Sequence, residues 1–278
     1  MKFQPAIKWS GSKRSQSEAI VNRIPNKEYN TYYEPFCGGC SVLYQLLNSD
    51  KKFKRYVCSD LNGDLIALWN LIKNNPTKVI NHYRTLWNEL NKYDDKAYKR
   101  DFYTKIRNRF NKEKDPCDFM FIMRTTTNGM PRYNKSGEFN NSFHITRNGI
   151  NPDTLEKIII EWSNLLNKHN VEFINRSYLD IKTTENDFIY LDPPYANTKG
   201  MYYGTIDYDL LWYFLRNQNC DYMLSFDGKT SSIDITYNVP KDIYNSHEYL
   251  YSGNSSFRRV IGNSKKEYVS ESLYIRVK

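Results

Sequence analysis

The residues that carry the most chemistry are Asp192-Pro193-Pro194-Tyr195, directly after the apolar run Phe188-Ile189-Tyr190-Leu191. A carboxylate, two prolines and an aromatic ring at the carboxyl end of a strand make a rigid polar pocket where α/β folds bind ligands. The prolines fix φ and remove backbone donors, leaving carbonyls to accept hydrogen bonds from a ligand. The Asp192 carboxylate and the Pro193 carbonyl together could hold an exocyclic amine, and Tyr195 offers a face on which a base can stack. The same tetrapeptide would also serve as a proline turn opened by Asp.

A second group narrows the choice. Glu34-Pro35-Phe36-Cys37-Gly38-Gly39-Cys40-Ser41 falls between a predicted strand and a predicted helix. Adjacent glycines there let the backbone approach a ligand, and the helix N-terminus adds favourable partial charge. About twenty residues on, Asp60 ends the next strand, from which a carboxylate can hold ribose hydroxyls. Together these features suggest a nucleoside-containing cofactor. Cys37 and Cys40 have the spacing of a zinc or redox pair. Cys58, Cys117 and Cys220 are isolated and the four histidines scattered, so no metal is expected. Both loop cysteines read as small fillers of a tight turn.

The elements that must position these residues follow from periodicity. A basic loop, Lys8-Trp9-Ser10-Gly11-Ser12-Lys13-Arg14, opens the pattern. Strands are predicted at Thr31–Glu34, Tyr56–Cys58, Val171–Ile174, Phe188–Leu191, Tyr222–Ser225 and Leu273–Val277. Ser41–Leu47 reads as a helix on Val42, Leu43, Leu46 and Leu47, and Asp64–Leu90 as two helices interrupted at Pro76. From about Asp94 to Thr154 the chain turns basic, helical and then loop-rich, punctuated by Gly129, Pro131, Gly137 and Gly149. Within it Tyr98, Phe102, Ile106 and Phe110 recur every four residues as one helix face. Lys99, Arg100, Lys105, Arg107 and Arg109 decorate the rest and could meet phosphates. The expected organisation is an α/β sheet domain of residues 1–75 and 165–278, with an insert at 76–164.

Composition sets the outer limits. Forty Lys+Arg against 31 Asp+Glu give 278 residues a formal charge of +9, which suggests an acidic partner, nucleic acid first. Hydrophobic residues at 40% and aromatics at 15% argue for a folded chain. A mean hydropathy of −0.75, with no apolar run near the roughly 18 residues of a span, argues against a transmembrane protein. Met1-Lys2-Phe3-Gln4-Pro5 lacks an apolar signal region, so a cytoplasmic location is expected. Five cysteines are too few and odd in number for a disulfide framework.

In order along nearly the whole chain, these motifs resemble those of the DNA adenine-N6 methyltransferases of the Dam (D12) class, alpha group. Lys8–Arg14 resembles the N-terminal cofactor motif, Glu34–Gly39 the glycine loop, Asp60-Leu61-Asn62 the ribose-binding acid and Asp192–Tyr195 the catalytic tetrapeptide. Cys40 departs from the pattern, standing where relatives usually carry a third small residue. The resemblance implies a Rossmann-like class I S-adenosylmethionine-dependent methyltransferase sheet with an inserted, mostly helical target-recognition domain. It also implies transfer of a methyl group from S-adenosylmethionine to N6 of a flipped adenine in duplex DNA. Trp9, Lys13, Glu34, Pro35, Phe36, Gly38, Asp60, Asp180 and Asp192 would hold the cofactor. Asp192, Pro193, Pro194 and Tyr195 would act on the base.

Met123–Phe143 resembles the family's recognition hairpin, and that of enzymes reading GATC in particular. Arg124, Arg132 and Lys135 suit phosphates or guanine edges, and Asn128, Asn134 and Asn140 can read adenine. Tyr133 could wedge into the space left by a flipped base. Ser255–Arg259 with Lys265 and Lys266 adds a second basic stretch. A cognate restriction endonuclease is a conceivable partner. Two alternatives compete: an RNA or protein-amide methyltransferase, and a catalytically silent DNA-binding protein. The hairpin argues against the first, and the intact Asp192–Tyr195 and Asp60 against the second. Cytosine-C5 methylation is rejected because Pro116-Cys117 lies in a charged run with no strand before it. Enzymes of the exocyclic cytosine amine more often carry Ser in place of Asp192.

Overall fold

Short runs of Tyr, Val, Ile and Phe form β1 (Glu28–Glu34), β2 (Lys52–Asp60), β3 (Glu172–Asn175), β4 (Phe188–Leu191), β5 (Asp221–Thr230), β6 (Ser246–Asn254) and β7 (Tyr268–Arg276). The structure, a computed structural model, describes residues 3–146, 148–195, 206–230, 233–254 and 268–278. The predicted strands are all present. β6 was not predicted: it lies at the sheet's edge with a single neighbour, so it needs fewer apolar residues. The basic stretch at 255–267 lies outside the described residues.

The strand order is β3-β2-β1-β4-β5-β7-β6. β1 pairs in parallel with β2 and β4, β4 pairs in parallel with β5, and β7 runs antiparallel to both β5 and β6. The expected α/β sheet is therefore present, with β7 antiparallel to its neighbours. The chain leaves β1 for β2 on one side and later enters β4 on the other. The carboxyl ends of β1 and β4 therefore flank a topological switch point, where open α/β sheets bind ligands. Glu34 ends β1 and Asp192 follows β4.

Among the described residues eight α-helices accompany the strands: α1 (Ser17–Arg23), α2 (Ser41–Leu47), α3 (Gly63–Asn74), α4 (Pro76–Leu90), α5 (Lys96–Glu113), α6 (Pro116–Thr125), α7 (Pro152–Lys168) and α8 (Tyr208–Arg216). None of the described helices is long and apolar enough to cross a membrane. The chain packs as two compact units. The described residues of 1–12 and 60–175 form the first, and those of 13–59, 176–199 and 205–278 the second.

In the first unit α6 is the central helix: every residue from Cys117 to Met123 is buried, as expected of a helix packed on all sides. Three helices begin with the same device. Asn75, Asp115 and Asn151 each accept a backbone N–H and are followed by Pro at the first helical position. Trp69 of α3 packs against Trp162 of α7 at 4.9 Å and stacks on Phe173 of β3 at 5.4 Å. α5 turns a different face inward from the one predicted, burying Lys99, Tyr103, Ile106 and Phe110. Steps of four residues drift round a helix of 3.6 residues per turn by about 40° each, so Tyr98 and Phe102 lie on the flank. The basic residues divide accordingly. Lys99 is buried beside Asp94 at 3.2 Å and Arg109 grips Asp118, while Arg100 and Lys105 stay exposed.

The second unit is built on an aromatic layer. Tyr29 stacks on Phe53 at 5.0 Å, and Tyr32 lies parallel to Phe188 at 6.3 Å. The Tyr29 hydroxyl donates to Asp221 at 2.8 Å, tying β1 to the start of β5. On the far side of β5, Phe226 meets Tyr208 and Trp212 of α8.

Asp118 is the charge on which the first unit's helices converge. It accepts from Arg109 Nε at 2.6 Å and lies 2.7 Å from His82 Nε2, joining α4, α5 and α6. Burial pushes its carboxyl up, but His82 and Arg109 outweigh that and hold it below the usual range. Its stabilisation is therefore present above the ordinary carboxylate pKa and lost as pH falls through the lower folded value. Asp118→Ala should cost about 2–3 kcal/mol in urea denaturation, a figure reduced because Arg109 is partly exposed.

Candidate active site

The second unit gathers three side chains around one ammonium group. Lys13, nearly fully buried, places Nζ 2.8 Å from Asp192 Oδ1 and 3.1 Å from Glu271 Oε2. The same Nζ lies 4.8 Å from the centroid of the Tyr195 ring, within range of a cation–π contact. The Tyr195 hydroxyl donates to Glu271 Oε2 at 2.8 Å, and its ring packs against Phe226 at 5.6 Å. Pro193 is buried, and the Pro194 carbonyl accepts from the Tyr208 hydroxyl at 3.2 Å. The tetrapeptide is thus held at both ends. Burial pushes the Asp192 carboxyl up to about 6, with Lys13 pulling it down and Glu271 adding to the rise.

Glu34, 3% exposed, sits at the end of β1. It accepts from the Tyr32 hydroxyl at 2.7 Å and from the backbone N–H of Leu43 in α2. Burial pushes its carboxyl up to about 8. The Tyr32 and Leu43 hydrogen bonds oppose that rise and Asp192 adds to it. Glu34 is therefore a largely protonated bracket between β1 and α2 at neutral pH. Phe36 packs its ring on Tyr178 at 5.3 Å, and the Cys37 N–H donates to the Ser59 carbonyl at 3.1 Å. Gly38 has φ +44° and Cys40 φ +53°, so the loop turns twice through the left-handed region. Cys37, Cys40 and Cys58 are buried and form no disulfide among the described residues. Asp180 is exposed as the last residue of a short 3-10 turn.

The first unit carries the other expected site residues. Trp9 is half-buried, and its neighbour Ser10 donates its N–H to the Gly129 carbonyl at 2.9 Å. A Cβ at Gly129 would meet the Lys8 carbonyl at 2.7 Å, so only glycine admits this approach. Asp60 accepts from the Asn62 N–H at 2.9 Å. Asn62 also caps α3 and donates to the Tyr133 hydroxyl at 3.3 Å, and Tyr133 donates in turn to Asp64 at 2.9 Å.

The hairpin does not present every expected reader. Tyr133, anchored at its hydroxyl and edge-on to Phe139 at 5.5 Å, is a brace rather than a free wedge. Arg124 donates to the carbonyls of Pro5 and Ala6, and burial lowers its guanidinium to about 10, so it clamps the N-terminal segment. Asn134 spends its side chain on its own turn, accepting from Ser136 and Glu138 and donating to the Glu138 carboxylate at 2.9 Å. Arg132, Lys135 and Asn128 are exposed. The Asn140 Oδ1 is buried with no hydrogen-bond donor against it.

Residues 9–266 match the model of the D12 class N6 adenine-specific DNA methyltransferases. The chain belongs to that family. Among its relatives, the type II methyltransferase M.MjaIII of Methanocaldococcus jannaschii is 34% identical over 206 residues, covering 70% of each chain. A DNA adenine methylase of Vibrio cholerae serotype O1 (strain ATCC 39541 / Classical Ogawa 395 / O395) is 34% identical over 70% of this chain and 67% of its own. That of Escherichia coli K12 is 32% identical over 68% and 64%.

The methyltransferase's departure at Cys40 has a local explanation. As the residue before α2 it adopts a left-handed conformation that disfavours side chains, and its thiol fits a fully buried space. Sequence reasoning missed Glu271, because the last strand was expected to start at Leu273. The available signal was an acid in phase with Leu273 and Ile275 on one face of a strand. For Glu34, raised from 4.5 to about 8, stabilisation is complete below the lower value and lost as pH rises through the higher. Glu34→Gln should therefore gain stability relative to the unsubstituted enzyme between pH 6 and pH 9 in urea denaturation. A constant difference across that range would contradict a protonated Glu34.

Proposed function

We propose that this methyltransferase modifies N6 of an adenine flipped out of duplex DNA, with Asp192 and the Pro193 carbonyl accepting the two amine hydrogens. The observation that carries this reading is the ammonium of Lys13 on Asp192, which marks the carboxylate as a receptor for a nitrogen donor. The amine lone pair is delocalised into the ring and is a poor nucleophile. Accepting its hydrogens localises the pair and aims it, so orientation and electrostatics supply most of the acceleration. Asp192, at about 6, is mostly ionised at neutral pH and able to accept. Tyr195, fixed at hydroxyl and ring, offers its face to the flipped base.

S-adenosylmethionine, the methyl donor of the family, supplies an electrophilic methyl group on a sulfonium. The donor set fits such a cation: carboxylates at Asp192 and Glu271 face the Lys13 ammonium, and Glu34 lies close enough to Asp192 to feel its charge. Phe36, Gly38 and Pro35 would shape the cofactor's bed, with Asp60 on the ribose and Trp9, Lys13, Glu34 and Asp180 around it. The recognition insert is proposed at 76–164, with Arg132, Lys135, Asn128 and Asn140 toward DNA. The exposure of Arg132 and Lys135 supports phosphate or guanine contact. GATC is the proposed target on the resemblance of the hairpin, and the cytoplasm the proposed location. The name of the type II relative supports a restriction endonuclease as partner.

Incubation with labelled S-adenosylmethionine and DNA, RNA or protein, followed by identification of the product, tests the reading. N6-methyladenine in duplex DNA is expected, and its absence would sink the proposal. Asp192→Ala should lower turnover by about 10²–10³-fold or more while DNA retention stays within a few-fold, because phosphate contacts dominate affinity. Replacing Arg132 or Lys135 by Ala should reduce the slope of log affinity against log salt by about 1, or else alter the methylated sequence.

A further inference from the structure

We propose that Glu271 is a positioning residue for methyl transfer: it holds the Tyr195 hydroxyl and gives the Lys13 ammonium a second carboxylate to occupy when a substrate amine claims Asp192. The inference rests on the amine-receptor reading of Asp192. Lys13 Nζ lies 2.8 Å from Asp192 Oδ1, on the carboxylate that reading gives to an incoming amine. With a side chain only 6% exposed, Lys13 cannot retreat into water. Burying an unpaired ammonium is strongly unfavourable. Glu271 Oε2, already 3.1 Å from the same Nζ, lets a small movement exchange partners without leaving the charge alone.

The backbone is shaped for this carboxylate. β5 and β7 slip register between Phe226 and Lys229, opposite the stretch Ser270–Ser272 that contains Glu271. At that irregularity a Cβ on Gly228 would lie 2.7 Å from the Glu271 Cα and 2.1 Å from the Ser270 carbonyl oxygen, so the approach requires glycine. Such bulges re-aim a side chain next to active sites. Ser252 of β6 donates to the remaining Glu271 oxygen at 3.4 Å, and the Tyr195 hydroxyl to Oε2 at 2.8 Å.

The titratable groups facing Asp192 among the described residues are Lys13 from the loop before α1, Glu34 at the end of β1, Tyr190 on β4, Tyr195 after it and Glu271 on β7. Glu271 raises the Asp192 pKa and Lys13 lowers it. Neutralising Glu271 therefore removes a raising influence and, among the described ion pairs, leaves Lys13 with that to Asp192. Both effects drive the Asp192 pKa down and hold the ammonium in the amine's place.

The test is initial-rate methylation of a duplex oligonucleotide from pH 5 to pH 9 by the full chain and by E271Q, E271D and D192A, with folding checked by thermal melting. The unsubstituted enzyme should lose activity on the acid side near 6. E271Q should move that limb down by about half a pH unit or more and reduce kcat by about 10- to 100-fold at a little-changed KM for DNA. E271D, which keeps the charge, should leave the limb in place. An unmoved limb in E271Q would overturn the proposal, because a merely structural role lowers activity equally at every pH. Should E271Q fail to fold, E271D decides: withdrawing the carboxylate by one methylene should reduce kcat several-fold, and an unchanged kcat would refute the role. Failure of the underlying reading would show separately, as turnover retained in D192A.

Discussion

One buried ammonium, that of Lys13, allows two carboxylates to stand together beside Tyr195. Moving a carboxylate out of water costs several kcal/mol unless an opposite charge and hydrogen bonds replace the solvent. Lys13 supplies that charge to Asp192 at 2.8 Å and Glu271 at 3.1 Å, and the Tyr195 ring lies against its remaining face. The balance leaves Asp192 near 6, low enough to be an acceptor at neutral pH and high enough to be displaced from its partner. The sheet order is what makes the cluster possible. β4, which delivers Asp192, and the antiparallel β7, which delivers Glu271, are both neighbours of β5.

The two units carry different motifs. The second holds the tetrapeptide, the glycine loop and the ammonium cluster. The first holds Asp60, the hairpin that follows α6 and the N-terminal segment that Arg124 clamps. Within the first unit, Asp60, Asn62 and Tyr133 form a continuous run of hydrogen bonds from the end of β2 to the hairpin. The +9 charge of the sequence belongs to these surfaces unevenly. Several of its cations, Lys99, Arg109 and Arg124 among them, are consumed inside the fold, whereas Arg100, Lys105, Arg132 and Lys135 are among those that stay exposed.

What the sequence made legible is what depends on neighbours in the chain. β4 and α2 begin and end where the apolar runs do, and the break between α3 and α4 falls at Pro76, where the ring forbids the preceding helix from continuing. The order of motifs carried the family and with it the sheet. Partner choice across the fold was not legible. Arg124, Asn134 and Tyr133 have side chains suited to DNA, yet each is bound to protein by groups 4 to 119 positions away. Glu271 was invisible for the same reason, since its meaning lies in Lys13 and Tyr195, and nothing local distinguishes it from a solvent-facing strand acid.

The most direct test of the central claim is a crystal structure of the enzyme with S-adenosylhomocysteine and a duplex oligonucleotide containing its target. The expected result has the N6 amine of an extrahelical adenine within hydrogen-bond distance of the Asp192 carboxylate and the Pro193 carbonyl, with Lys13 shifted onto Glu271. An adenine bound with its amine elsewhere, and Lys13 still seated on Asp192, would contradict the account.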